Sequence, residues 1–299
     1  MTKNVLVELS DALADAAETA GKATVLVNAR RRMPASGIAY AADLILTADH
    51  VIDRDEDIKV TLADGTETLA RIAGRDAGAD IAVLKLERAT ATVAEATKSP
   101  ARLGQIVLVL GRPSTNGIEA SLGTVSAIGG PIRTGRGGML EKYIRTDGIS
   151  YPGFSGGPLV GADGTVLGLN TSGLASGAAV TIPADIAWRM ADTLSKHGRI
   201  KRGYLGIRSQ TVEIQSSSRQ ALKREQEAGL LIVSVEKDSP ASNGGLMVGD
   251  ILVAVAGTPV LHHDELFARL NGDVVGKSTP IEILRGGQPQ TVNVVIGER

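Results

Sequence analysis

Residues 151–160, YPGFSGGPLV, place Ser155 between Phe154 and a Gly-Gly-Pro turn, with Gly153 two positions upstream. A serine hydroxyl becomes a nucleophile only when a base takes its proton, and that base needs an acid to fix its tautomer. Short glycine-rich turns are common, so this string alone fits an ordinary β-turn equally well. The chain offers four histidines. His197 ends a helical pattern beside a glycine, where an imidazolium complements the helix dipole. His262 and His263 open a later helix, and adjacent side chains there point to different faces, so they are not expected to share a metal. His50 closes the apolar run LILTADHVI and is the one candidate base in the β-rich part of the chain. The candidate acid is Asp80 in GADIAVLKLE, a carboxylate leading straight into a buried run. Burying an unpaired charge is costly, and a histidine partner would supply the reason. A turn aspartate before a strand is the plainer alternative.

These side chains need a scaffold. From about residue 23 to 180 the chain alternates short aliphatic or β-branched runs with turn signals: ATVLVNA, IKVTLADGTETLARIAGR, IAVLKL, QIVLVLG and TVLGLNTSG. Asp64-Gly65 and Asp163-Gly164 each sit between apolar runs, a strong hairpin signal. Many short strands at this spacing imply antiparallel barrels or sandwiches. Before them, residues 6–20 are Ala-rich with Gly21 beyond, which predicts a helix closed by a glycine C-cap. After them, TIPADIAWRMADTLSKHG predicts a helix with Pro183 at its first position and Gly198 as C-cap. Ile186, Met190 and Leu194 share one face of that helix. The predicted organisation is an N-terminal helical segment (1–22), a β-rich domain (23–198), a polar link (199–202) and a small α+β module (203–299). Within the module, helices are expected near 217–228 and 263–271.

Composition narrows the function classes. Hydrophobic residues make up 43% and charged residues 22%, as in a globular protein, while aromatics are only 2%. Ala, Val, Leu and Ile must therefore fill the cores. The net charge of −1 gives no electrostatic case for nucleic acid or an anionic membrane. Arg30–Arg32 is expected as a surface turn, and the acidic stretch 53–57 lacks the glycine and glutamate of a calcium loop. The absence of cysteine removes disulfides, thiol nucleophiles and Cys-ligated zinc. No cofactor or metal is expected. No apolar run is long enough to span a membrane. The first twenty-two residues lack the apolar core of a signal peptide, so a cytosolic address is expected, with the periplasm or an extracellular site if a leader has been trimmed.

His50, Asp80 and Ser155 follow the His…Asp…Ser chain order of chymotrypsin-like barrels. LTADHVI, DAGADIAVLKLE and FSGGPLVGADGTVLGLNTSG closely resemble the three catalytic blocks of trypsin-like proteases of the high-temperature-requirement (HtrA/Deg) family. GYLGI (203–207) and VEKDSPASNGGLMVGDILVAVAGTPV (235–260) resemble a PDZ domain of the kind attached to them. The resemblance covers residues 23–299 and implies a mainly β fold: a trypsin-like double β-barrel followed by a small α+β PDZ domain. It implies an endopeptidase acting on unfolded or damaged proteins, with His50 as general base, Asp80 as its orienting acid and Ser155 as nucleophile. The N–H groups of Gly153 and Ser155 would form the oxyanion hole. Ile149 stands where enzymes that cut after Lys or Arg carry an aspartate, and Asn170, Thr171 and Ser172 would line the facing wall of the first pocket. In the PDZ module Tyr204, Leu205, Gly206 and Ile207 would hold a C-terminal peptide, with Phe267 and Leu270 as an apolar wall or as core. A homotrimer is the family's habit. Two features depart from the pattern: Phe154 stands where the family usually has Asn or Asp, and the N-terminal segment lacks the aromatics that pack trimers. The alternative is a proteolytically silent chaperone or peptide scaffold that keeps the fold.

Overall fold

The computed structural model describes residues 4–31, 33–88, 90–135, 138–174, 179–270 and 272–298, so Arg32 of the basic run lies outside the described residues. The chain divides into two compact units, Met1–Ile200 and Lys201–Arg299.

The first unit opens with helix α1 (Val5–Gly21), capped by the Asn4 side chain, which accepts from the Leu6 N–H. Gly21 lies within its last turn, and the cap is Lys22 in an ordinary right-handed conformation. The helical segment expected over residues 1–22 falls within this first unit. Ala16 and Ala20 of α1 pack on Leu108, Leu110 and Val160. Six strands then close the first barrel: β1 (Thr24–Asn28), β2 (Ala35–Ala41), β3 (Leu44–Thr47), β4 (Ile58–Thr61), β5 (Glu67–Asp76) and β6 (Ile81–Leu86), in the order β1-β2-β3-β6-β5-β4. The Asp64-Gly65 signal turns β4 into β5.

The second barrel is built from β7 (Ile106–Ser114), β8 (Gly117–Gly129), β11 (Tyr143–Thr146), β12 (Pro158–Gly161), β13 (Val166–Thr171) and β14 (Val180–Pro183). A small ribbon of β9 (Ile132–Arg133) and β10 (Met139–Leu140) stands apart from it. Asp163-Gly164 turns β12 into β13. Helix α2 (Ala184–His197) closes the unit, with Pro183 as its N-cap and Gly198 ending it in the left-handed region.

Aliphatic side chains do fill the cores. One cluster fills the first barrel, from Val25 and Val27 to Leu84 and Leu86. A second joins Ile38, Leu46, Ile81 and Val83 of the first barrel to Leu169, Val180 and Ile182 of the second and to Ile186 and Leu194 of α2. The two barrels are thus cemented where the chain must bring distant residues together. Trp188 of α2 packs against this cluster and meets Tyr40 of β2 edge-on, with ring centroids 6.3 Å apart.

The second unit has a short pair, β15 (Gly203–Tyr204) with β22 (Gly297–Glu298), and a sheet ordered β16 (Ile207–Glu213), β17 (Ala228–Val235), β18 (Ile251–Val255), β20 (Ser278–Arg285), β21 (Gln288–Val295), with β19 (Thr258–Pro259) beside β18. Its helices are α3 (Ser216–Leu222), α4 (Pro240–Asn243) and α5 (His263–Arg269). The expected helix over 217–228 stops early because Lys223 turns left-handed, and Ala228 already belongs to β17.

Candidate active site

His50 rides on one turn of 3-10 helix, Asp49–Val51, that follows β3. Asp80 sits at the head of β6 with a φ of +55°, a left-handed conformation that aspartate tolerates better than most residues. The Asp76 carboxylate, accepting from the Ala79 N–H at 2.8 Å, shapes the turn that delivers it. Asp80 is fully buried and accepts from the His50 backbone N–H at 2.8 Å through one oxygen. Its other oxygen accepts from His50 Nδ1 at 2.7 Å and from Thr171 Oγ1. Burial by itself would raise the carboxyl pKa, but these donors hold it below the usual carboxylate value. With Nδ1–H given to a carboxylate, the proton-free nitrogen of the neutral ring is Nε2, the one a base needs.

Two further groups secure this pair. A Cβ at Gly173 would stand 2.4 Å from Asp80 Oδ2 and 2.7 Å from His50 Nδ1, so only glycine fits against it. Arg75 of β5 clamps the turn that carries His50: Nε donates to Asp49 Oδ1 at 2.5 Å, and the guanidinium also reaches the Asp49 and Ile52 carbonyls. The hydrogen bond to the Asp49 carboxylate raises the Arg75 pKa.

Ser155 follows a loop whose fixed points are backbone groups. Gly153 and Gly156 have φ of +91° and +89°, values that favour glycine. The Gly153 carbonyl is turned inward, onto Ser36 Oγ at 2.7 Å. Phe154 N–H donates to the Tyr151 carbonyl at 3.0 Å and Gly156 N–H to the Asn170 carbonyl at 2.8 Å. The N–H groups of Gly153 and Ser155 make no hydrogen bond among the described residues. Phe154 is fully buried among Val107, Val109, Ile144 and Leu159, and meets Tyr151 edge-on at 5.4 Å. The loop is therefore fixed by packing where Asn or Asp would fix it by a polar bond. Ser155 Oγ pairs with Ser172 Oγ at 3.1 Å, and no hydrogen bond to His50 is formed among the described residues. Nucleophile–base bonds are often loose before substrate binds.

The other expected positions divide. Ile149 is 57% exposed, its N–H donating to Ser121 Oγ at 2.8 Å. Asn170 is buried and accepts from Thr181 Oγ1 at 2.6 Å. Thr171 departs from the expected pocket wall: its hydroxyl turns to Asp80, a role that its neighbours in sequence do not announce. In the second unit, Leu205 and Leu270 are buried in the core, whereas Phe267 is 39% exposed on α5. Gly206 has a φ of +79°, and its carbonyl and that of Leu205 accept from Glu236 and Ala241. The N–H groups of Leu205 and Gly206 have no partner among the described residues. Ile207 begins β16, which lies at the sheet edge. His263 Nε2 lies 3.0 Å from the Ser209 carbonyl of β16.

Two six-stranded barrels with a buried His–Asp pair and a serine loop define a trypsin-like fold. Comparison with known proteins agrees. Residues 35–169 match the trypsin-like peptidase domain family and residues 203–296 the PDZ domain family. A protein of Pseudomonas savastanoi pv. phaseolicola named "Probable periplasmic serine endoprotease DegP-like" is 33% identical over 269 residues, 88% of this chain and 55% of that protein. The chain thus spans about half the length of the curated relatives it matches. The structure of "HtrA-type protease AlgW with decapeptide" is similar with a TM-score of 0.81 and 26% identity, covering 96% of this chain and 98% of that one. The serine endoprotease from Yersinia pestis is similar with a TM-score of 0.79 and 29% identity, over 96% and 98% of the two chains. The chain belongs to the HtrA/Deg family of trypsin-like proteases carrying a PDZ domain. The cytosolic expectation does not stand, because these relatives are named periplasmic. No described helix is long and apolar enough to cross a membrane.

Proposed function

We propose that this chain is a serine endopeptidase in which Ser155 attacks the scissile carbonyl, His50 Nε2 takes its proton and later returns it to the leaving amine, and Asp80 holds the imidazole in the required tautomer. The observation that carries this reading is the pairing of a buried carboxylate on His50 Nδ1 with a serine loop whose Gly153 and Ser155 N–H groups have no partner among the described residues. Two such donors stabilise the oxyanion of an acyl-transfer intermediate. The Ser155–Ser172 contact is a resting arrangement that the serine gives up for His50 when substrate binds. Substrates are unfolded or damaged proteins, whose extended segments can enter the cleft between the barrels. The second unit takes C-terminal peptides, adding them along the edge of β16 with the carboxylate at the Leu205 and Gly206 N–H groups.

A fluorophosphonate probe and casein digestion test the catalytic reading. The chain is expected to label and digest, and Ser155→Ala to do neither. An unlabelled chain that leaves casein intact over a range of temperatures would establish the silent scaffold instead. With Ile149 in place of an acidic residue, cleavage is expected after aliphatic or small uncharged side chains. A peptide-library profile clustered after Lys or Arg would overturn that.

A further inference from the structure

Ser36 lies in β2, in the barrel opposite the nucleophile loop, and is fully buried. Every polar group it owns is engaged. Its N–H donates to the Ser155 carbonyl at 3.2 Å, and its carbonyl accepts from Thr47 Oγ1 at 2.7 Å. Its hydroxyl lies 2.8 Å from the Arg112 N–H and 2.7 Å from the Gly153 carbonyl. Because an N–H can only donate, Ser36 Oγ accepts from Arg112, and its single proton goes to Gly153. Arg112 is itself held, its guanidinium donating to the Thr24 and Gly21 carbonyls at 2.7 and 3.1 Å.

The consequence follows from peptide planarity, which fixes the two ends of each peptide unit relative to one another. The Gly153–Phe154 unit is pinned twice, its carbonyl by Ser36 and its N–H by the Tyr151 carbonyl. The Ser155–Gly156 unit is pinned in the same way, its carbonyl by the Ser36 N–H and its N–H by the Asn170 carbonyl. The unit between them is held at its Phe154 carbonyl by the Gly157 N–H at 2.8 Å; it and the unit before carry the Ser155 and Gly153 N–H groups, which have no partner among the described residues. Nothing intrinsic to a glycine keeps its carbonyl inward, since glycine enters left- and right-handed conformations with similar ease. Without the Ser36 hydroxyl, only the Phe154 N–H bond to the Tyr151 carbonyl resists a turn of this unit, and that turn would put an acceptor where a donor is needed. The room around Ser36 is tight: a Cβ at Gly156 would stand 2.1 Å from the Ser36 carbonyl oxygen.

We infer that Ser36 is a positioning residue for the reaction, a clamp reaching from the first barrel that holds the loop of the second with both oxyanion donors outward. The inference rests on the endopeptidase reading above. It is tested in the full chain with Ser36→Ala and Ser36→Cys, the latter keeping a side chain at the site, slightly larger, that offers only a weak donor. Removing one oxyanion donor outright lowers kcat by about 10²–10³-fold, so the indirect loss in Ser36→Ala is expected at about 10–10²-fold, with Ser36→Cys between it and the parent. KM should change little, and the pH midpoint of kcat/KM should stay put because His50 and Asp80 are untouched. Affinity for a peptide aldehyde, which forms a tetrahedral oxyanion on Ser155, should fall by the same factor as kcat. Affinity for the matching peptide alcohol should not fall.

Equal loss for aldehyde and alcohol, a shifted pH midpoint, or full turnover in Ser36→Ala would each overturn the clamp. Hydrogen exchange gives a readout that needs no turnover: the Phe154 and Gly156 amides should exchange faster in Ser36→Ala. Unchanged protection there overturns the inference even if the parent chain proves inactive. A parent that neither labels nor digests, with faster exchange in its Ser36→Ala variant, sinks the endopeptidase reading and leaves the clamp standing.

Discussion

The two barrels contribute to the site by different means. The first presents His50 and Asp80 through side-chain bonds, with a buried carboxylate collecting three donors and an arginine clamping the turn that carries the imidazole. The second presents Ser155 almost entirely through backbone, with successive peptides of its loop pinned and one buried aromatic ring filling the space beneath. A half built on charge should fail when charge or a proton is removed. A half built on backbone and packing should fail when shape is removed. Chemical precision and mechanical firmness are therefore separable here, and each has its own lesion.

The largest expected effect separates them on the charge side. Asp80→Asn keeps the shape of the first half but offers Nδ1 an amide, so the wrong tautomer is favoured and kcat should fall about 10⁴-fold, as in the general Ser-His-Asp template. Steady-state kinetics on a peptide substrate would check it, and a loss below tenfold would mean that Asp80 does not orient His50. On the shape side, Phe154→Ala should cost about 3–5 kcal/mol of stability in the first unit, the usual range for emptying a buried aromatic site. Urea unfolding measures it, and the pH midpoint of any remaining activity should not move. A stable Phe154→Ala variant with a shifted midpoint would dissolve the distinction.

The smallest expected effect is a matter of pH. Burial would raise the Asp80 pKa, but its hydrogen bonds lower it below the ordinary value, so its folded-state value is depressed. Its contribution to stability is then complete above the unfolded value of about 3.9 and is lost as pH falls through the lower folded value. The stability gap between the parent and Asp80→Asn should therefore be constant from neutrality down to about pH 4 and close below it. A gap that closed well above that range would contradict the depressed carboxyl.

Much of this was legible in the chain. The strand runs, both Asp-Gly hairpins and the glycine that ends α2 follow from local chemistry, and the structure forms them where the residues imply. His50, Asp80 and Ser155 could be singled out because each sits in a short string with its own punctuation, and the fold brings the first two into contact. Ser36 and Arg75 could not, and Thr171 was singled out only as a pocket wall, not as a donor to Asp80. Ser36 lies 117 positions from Gly153, and Thr171 lies 91 from Asp80. A buried hydroxyl in an apolar strand has no local mark that names its distant acceptor. Phe154 was visible as a departure, but only the barrel interior shows that its ring replaces a polar tether with packing.

The chain holds a single tryptophan, and it is Trp188, edge-on to Tyr40 against the cluster that cements the two barrels. The second unit has no indole at all, so emission excited selectively from tryptophan reports on the first unit alone. Melting the barrels apart would shift that emission to the red, while unfolding confined to residues 201–299 would pass unseen by it. The protein thus carries a built-in optical probe that can tell which of its two units gives way first.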